Sequence, residues 1–371
     1  MNIIQEAGNL KGKRVLVRID IDDGDINPFP VKAIKPTLIY LKEAGARIIL
    51  LGHVGRDKDA SAIKLFDILE KELSKYDFKF DFVEDITGEV ARSAINKMKD
   101  GDAVVLENVR SDEREIADDD GFAKELANLA DIYVNDAFAV SHRKHASIVG
   151  ITKYIQSFAG FGLQEEVRAL SQALTPESPS IFIISGAKIE TKLPLIEKFI
   201  GIYDYVFVGG VLANNFFKAK GFETGVSLVL DENIDISSVI NNERVLIPKD
   251  VIVFKDGKSS VKKASKVLPE EKIVDAGPES VEVLKEKISN MQCVLWNGPL
   301  GEYEIGFDKA TKDLARIIAF SSAHTFVGGG DTLSAITDLH LEDKYSFIST
   351  GGGAMLEFLL KGTLPGIEAL S

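Results

Sequence analysis

The stretch His324-Thr325-Phe326-Val327-Gly328-Gly329-Gly330-Asp331-Thr332-Leu333-Ser334-Ala335-Ile336 joins an apolar run, three glycines, an acid and a helical pattern. That order reads as a buried strand turning through glycines into a helix, the building unit of α/β sheets. A second stretch repeats it: Phe347-Ile348-Ser349-Thr350-Gly351-Gly352-Gly353-Ala354 leads into Met355-Leu356-Glu357-Phe358-Leu359. Glycines strip away side chains where backbone amides converge, and the helix dipole adds positive potential there. One such turn is an ordinary connection. Two of them, with Asp331 able to hold a cation, point to a phosphorylated ligand.

Working outward, short apolar runs alternate with amphipathic stretches. Arg14–Ile19, Ala46–Leu51, Ala103–Leu106 and Ile132–Val134 read as buried parallel strands. Pro36–Glu43 and Phe122–Leu129 between them have helical spacing. Ser180–Ile184, Tyr205–Val208, Cys293–Trp296, His324–Val327 and Tyr345–Ile348 continue the strand series. The fold class is therefore α/β: two Rossmann-like domains with parallel sheets. Gly160 and Gly162 precede a helical stretch, Leu163 to Leu174, that ends at Thr175-Pro176, so the boundary is expected between 158 and 178.

A chain of 371 residues exceeds the usual limit of one core, in keeping with two domains. The net charge of −13 argues against general nucleic-acid or membrane-surface binding, though it leaves room for a local basic pocket. Cys293 is the only cysteine, which excludes an internal disulfide and a multi-cysteine metal site. The segment Met1-Asn2-Ile3-Ile4-Gln5-Glu6 lacks the basic-then-apolar pattern of a secretory leader, and no apolar run reaches transmembrane length, so a cytoplasmic protein is expected. The charged run Asp112 to Asp120 reads as a solvated loop.

Ligands of α/β sheets sit at the carboxyl ends of strands. In the first half those positions hold Arg18, Asp20, His53, Arg56 and Arg110, followed by His142, Arg143 and His145. One such arginine is usually a surface ion pair of little consequence. Four at one edge of a sheet repel unless an anion holds them, and the guanidinium fork suits phosphate or carboxylate. The histidines read either as ligands of that anion or as satisfied core groups. In the second half, Ser185-Gly186-Ala187-Lys188-Ile189-Glu190-Thr191-Lys192 runs from a strand through glycine into a helix with lysines at i and i+4. Those lysines are either solvated or in contact with nucleotide phosphates; the preceding strand and Gly186 favour the second. Glu304, beyond Trp296-Asn297-Gly298-Pro299, could accept from a ribose hydroxyl or be an exposed acid. No Walker A motif, no protein-kinase signature and no Gly-x-Gly-x-x-Gly near the first strand accompanies these features.

Taken together, the chain resembles phosphoglycerate kinase over essentially its full length. The segments that carry the resemblance are Val17–Asp20, Gly52–Arg56, Leu106–Arg110, Tyr133–Phe138, His142–Ser147, Gly186–Lys188, Trp296–Pro299, Gly328–Thr332 and Ser349–Ala354, in the family's order. The resemblance implies two lobes joined by a helical hinge: residues 1–158 with 355–371 on the 3-phosphoglycerate side, and residues 159–354 on the nucleotide side. It implies reversible phosphoryl transfer between 1,3-bisphosphoglycerate and ADP, giving 3-phosphoglycerate and ATP, with Mg²⁺, in a monomer. Arg18, Asp20, His53, Arg56, Arg110 and Arg143 would hold 3-phosphoglycerate. Gly186, Ala187, Lys188, Lys192, Gly209, Asn297, Pro299, Glu304, Gly329, Gly330, Asp331 and Thr332 would bind the nucleotide. Catalysis would fall to Lys188 and Lys192 with Gly330 and Gly352, and Asp331 would hold the metal.

One departure matters. The family follows its first strand with Asp-x-Asn and a loop ending in an arginine that meets the substrate. Here the asparagine's position falls on Asp22 and, counting back from Pro36-Thr37, the arginine's falls on Pro30. Losing a cation that stabilises transferring charge costs about a hundred- to a thousandfold in rate. Lys32 or Lys35 offers a point charge and not a fork. Ser185 for a usual glycine, and Glu190-Thr191, are smaller departures. The expectation is a phosphoglycerate kinase with an altered acceptor pocket; the alternatives are a nucleotide-binding relative with impaired catalysis and a kinase for a different small acid.

Overall fold

The computed structural model describes residues 1–20, 29–55, 58–187, 189–229 and 235–371. The chain divides into two compact units, Met1–Arg168 with Lys361–Ser371, and Ala169–Leu360. The first changeover falls inside the helix Phe161–Ala173, and the second at the end of the helix Gly353–Lys361.

The first unit is built on β1 (Arg14–Ile19), β2 (Arg47–Leu51), β3 (Phe80–Val83), β4 (Ala103–Leu106), β5 (Ile132–Asp136) and β6 (Ser157–Ala159), in the order β3-β4-β2-β1-β5-β6. Every pairing is parallel. The run Val15 to Ile19 is wholly buried, which is why it shows no polar alternation: helices cover both faces of a parallel sheet. Ile63–Leu73 buries Leu65, Leu69 and Leu73 four residues apart, one stripe of an amphipathic helix. Burying each such leucine stabilises the unit by about 1.5–3 kcal/mol.

The second unit holds β7 (Ser180–Ile184), β8 (Tyr205–Val208), β9 (Val245–Leu246), β10 (Asp250–Lys255), β11 (Lys258–Lys263), β12 (Lys272–Ala276), β13 (Cys293–Asn297), β14 (His324–Gly328) and β15 (Phe347–Ser349). Six of them form a second all-parallel sheet, β15-β14-β13-β7-β8-β9. The order reverses between β7 and β13, and such a switch point opens a crevice at the strands' carboxyl ends. The remaining three make an antiparallel sheet, β11-β10-β12, that the sequence reading did not anticipate. The helix expected from Pro36 begins earlier and runs Phe29–Glu43, with Pro36 inside it. None of the described helices is long and apolar enough to cross a membrane.

Candidate functional site

In the first unit the register places Arg18 beside Leu51 of β2 and Asn135 of β5, at the carboxyl end of the sheet. Its side chain is fully enclosed. The guanidinium donates through Nε to Ser147 Oγ at 2.9 Å, through Nη1 to the carbonyl of Ile19, and approaches His53 Nδ1 with Nη2 at 3.2 Å. A guanidinium only donates, so Nδ1 accepts and the imidazole proton belongs on Nε2. Asp20 Oδ1 lies 3.3 Å from the same Nδ1. It receives no proton from that atom, and the contact is not an ion pair.

His53 explains itself electrostatically. Burial, then the charges of Arg18, Arg110 and Arg143, push its pKa down to about 2. The imidazole is therefore neutral, and the fields of three arginines converge on it. Arg110 enters from the turn after β4, where Asn108 Oδ1 accepts from the backbone amides of Arg110 and Val54. Its Nη1 donates to the Gly55 carbonyl. Arg143 follows β5 and approaches His142 Nε2 with Nε at 3.3 Å. The structure thus brings Arg18, Asp20, His53, Arg110 and Arg143 to the carboxyl end of one sheet. Arg56 and Asp22 lie outside the described residues.

Ser141 to Ser147 is fastened from beneath by Glu115. The carboxylate, wholly buried, accepts from Ser147 N at 2.8 Å and Ser147 Oγ at 2.7 Å, and His145 Nδ1 lies 3.5 Å away. The solvated loop expected over Asp112 to Asp120 is thus corrected at Glu115. Asp112, Arg114 and Asp118 to Asp120 give its polar appearance, and a charge pattern cannot tell which carboxylate folds inward.

In the second unit four glycine turns meet at the switch point. Gly186 (φ +103°) follows β7, Gly210 (φ +60°) follows β8, Gly298 (φ +99°) follows β13 and Gly329 (φ +106°) follows β14. A Cβ on Gly298 would stand 2.3 Å from the Ser185 carbonyl oxygen, and one on Gly210 would stand 2.9 Å from the Pro299 carbonyl oxygen. Only glycine permits that approach. Side chains knit the turns together. Ser185 Oγ and Trp296 Nε1 both donate to the Gly298 carbonyl, at 3.0 and 2.9 Å. Asn297 Nδ2 donates to the Gly328 carbonyl at 3.0 Å, and Thr332 Oγ1 accepts from Gly298 N at 3.0 Å. Ser185 and Thr332 are wholly buried, so these bonds fix the turns in a dry setting.

Lys192 reaches back from the helix Ile189–Ile200 so that Nζ donates to the Ser185 carbonyl beside Gly186. Asp331 stands in the first turn of the helix Gly330–Asp338, with its pKa raised by burial and then by the charge of Glu304, and lowered by Lys192. Glu304 is exposed, on the short turn Tyr303–Ile305. Gly352 (φ +47°) and Gly353 open the helix Gly353–Lys361 after β15. Next to these turns lies a mainly apolar slot, walled by Val211 and Asn214 on one helix, Ile273 and Ala276 of β12, and Leu300 and Gly301. Among the described residues no cluster of three or more His, Cys, Asp or Glu could hold a metal. Lys188 lies outside the described residues. Sequence reading missed Glu115, Ser147 as its partner, and the slot residue Asn214; an inward-facing acid inside a charged run carries no signal of its own.

Comparison with known proteins gives the same family. Residues 4–362 match the phosphoglycerate kinase family. The chain belongs to the phosphoglycerate kinase family. The phosphoglycerate kinase of Dictyoglomus turgidum is 40% identical, covering 98% of this chain and 96% of its own. That of Roseiflexus sp. strain RS-1 is 38% identical over 97% of this chain and 96% of its own. Among solved structures, phosphoglycerate kinase from Pyrococcus horikoshii superposes with a TM-score of 0.87 at 29% identity, covering 100% of this chain and 98% of that one. The Coxiella burnetii enzyme gives 0.81 at 35% identity, covering 98% and 97%. The two solved phosphoglycerate kinases thus share the fold of this chain.

Proposed function

We propose that this chain catalyses reversible phosphoryl transfer between 1,3-bisphosphoglycerate and ADP, giving 3-phosphoglycerate and ATP. The observation that carries the reading is the convergence of Arg18, Arg110 and Arg143 on a neutral His53 in a chain that matches the family from residue 4 to 362. Cations gathered at the carboxyl end of one sheet suit a substrate bearing a carboxylate and a phosphate. His53, uncharged, can donate from Nε2 without adding to their mutual repulsion.

On the nucleotide side the helix starts behind the glycine turns would receive the phosphates, and Lys192, held beside Gly186, would neutralise the group in transfer. A carboxylate oxygen of 3-phosphoglycerate forms the new bond to the γ-phosphorus of ATP as the bond from that phosphorus to the β,γ-bridging oxygen breaks. ADP leaves with that oxygen and an acyl phosphate results. No proton need move, so the residues supply position and charge rather than acid–base chemistry. Asp331 fits a magnesium site: a half-buried carboxylate, raised in pKa by burial and Glu304, stands at a phosphate-binding turn. Magnesium commonly takes one or two carboxylates and completes its shell with water and phosphate, so the absence of a larger cluster among the described residues is no obstacle. When bound, it would neutralise charge on the phosphate oxygens.

Pro30, in the helix Phe29–Glu43, stands where the family's arginine is expected. Lys35 does not replace it, because its Nζ is drawn over the Tyr76 ring, 4.5 Å from the centroid. Reduced turnover is the expected consequence of the proline. Pro30 also favours a second reading, a kinase for a different small acid, which phosphorylation of another acid and none of 3-phosphoglycerate would support. The test is ATP- and Mg²⁺-dependent phosphorylation of 3-phosphoglycerate coupled to glyceraldehyde-3-phosphate dehydrogenase. NADH oxidation that requires all three reactants supports the proposal; none above the no-enzyme rate refutes it.

A further inference from the structure

We infer that Glu115 is a positioning residue for the anion site, acting through Ser147 on Arg18. The inference rests on the reading of that site as the 3-phosphoglycerate pocket.

The first step is the cost of the carboxylate itself. A buried, ionised acid is expensive unless its oxygens are paired. Glu115 has no exposed surface. Burial opposes its charge, yet His145, the charge of Arg18 and both groups of Ser147 outweigh that, and its pKa ends below the usual carboxylate value. It therefore stays ionised at neutral pH.

The second step is polarity. A carboxylate only accepts, so the 2.7 Å contact fixes the single hydroxyl proton of Ser147 toward Glu115 Oε1. That leaves the lone pairs of Ser147 Oγ for Arg18 Nε, which donates to it at 2.9 Å. Arg18 then presents Nη2 to His53 Nδ1, again as donor. Every hydrogen bond in the series Glu115, Ser147, Arg18, His53 has one permitted direction. Arg18 and Glu115 form an ion pair bridged by one hydroxyl, away from water where such charge-assisted bonds are strong.

The third step is the backbone. Ala146 N donates to the Glu115 carbonyl at 2.9 Å, and Ser147 N to the carboxylate. Tyr133 Oη closes the far side by donating to the Ser147 carbonyl at 2.6 Å. The segment that carries Arg143 is thereby pinned to the segment that carries Glu115. One buried acid thus orients the arginine on β1 and anchors the loop of the arginine after β5.

The experiment compares full-length wild type with Glu115→Gln, Ser147→Ala and the double variant. Titration calorimetry gives the dissociation constant for 3-phosphoglycerate, steady-state assays give KM for ATP, and ¹⁵N spectra follow the Arg18 Nε–H resonance. Glutamine in place of Glu115 should weaken 3-phosphoglycerate about tenfold, the worth of one misdirected hydrogen bond. The KM for ATP should stay within twofold, and the Arg18 resonance should move. The double variant should be no weaker than the worse single one. A lower melting temperature with unchanged 3-phosphoglycerate affinity would make Glu115 a structural pin only, and additive losses would break the series. If wild type does not bind 3-phosphoglycerate the substrate reading fails, whereas an unmoved Arg18 resonance rejects the relay itself. Ser147→Ala keeps the test decisive if Glu115→Gln does not fold.

Discussion

Arg18 Nη2 lies 3.2 Å from His53 Nδ1, and the imidazole it meets is neutral. The pairing has a consequence for stability against pH. In the unfolded chain His53 takes up a proton below about pH 6.5, whereas in the folded chain it does so only near pH 2. Its contribution is therefore present in full above pH 6.5 and lost as pH falls, at roughly 1.4 kcal/mol per pH unit. His53→Gln, which cannot titrate, should show a shallower loss of stability between pH 6 and about 4 by urea unfolding. Equal slopes would mean that His53 is not held neutral.

Gly186 should tolerate no side chain. Its φ of +103° strains an alanine by about 1–2 kcal/mol, and the new Cβ would stand 2.5 Å from Lys192 Nζ. Gly186→Ala should displace Lys192 and weaken ADP by about tenfold or more, as one lost phosphate contact does. Binding of 3-phosphoglycerate to the other unit should be unaffected. ADP titration against wild type decides this.

Asp331→Asn should raise the Mg²⁺ concentration for half-maximal rate by about tenfold, the scale of losing one group that supports a metal. Because burial and Glu304 raise the Asp331 pKa, protons should compete with the cation on the acid side. In wild type, then, the Mg²⁺ requirement should climb as pH falls, and in Asp331→Asn it should not. Parallel magnesium titrations across the pH range would expose a flat wild-type response as a contradiction.

Pro30→Arg tests the deficit proposed for the acceptor side. Proline has no obligatory place in the first turn of a helix and arginine is a good helix former, so the fold should survive. With 3-phosphoglycerate as substrate, kcat should rise on the order of a hundredfold, the usual worth of a cation on transferring charge. An unchanged kcat would show that position 30 does not face the reaction or that another group already covers it.

How much of this was legible in the sequence follows from what each pattern encodes. The strand ends near Arg18, His53 and Arg110 could be read because Val15–Val17, Ile48–Leu51 and Ala103–Leu106 are apolar runs, and an apolar run has a visible end. The glycine turns could be read for the same reason, since Gly329 to Asp331 follows β14 directly. The antiparallel sheet could not: β11 reads Lys-Ser-Ser-Val-Lys-Lys, exposed nearly throughout, with no buried face to leave a period. The start of Phe29–Glu43 was hidden by Pro36, which ordinarily opens a helix and here lies within one. Glu115 was hidden among like charges, and only its contacts with Ser147 distinguish it. Local pattern reports burial of a run; it does not report which single polar group is drawn inside.

The proposed phosphoryl transfer, with Lys192 neutralising the group in flight, is read most plainly in the ATP-forming direction. ADP, Mg²⁺ and freshly generated 1,3-bisphosphoglycerate would be mixed with wild type and, separately, with Lys192→Ala prepared in the same way, and ATP read by luciferase. ATP formation by wild type should exceed that by the variant by about a hundredfold or more. Equal, background-level ATP from both would contradict it and leave a nucleotide-binding member of the family without this reaction.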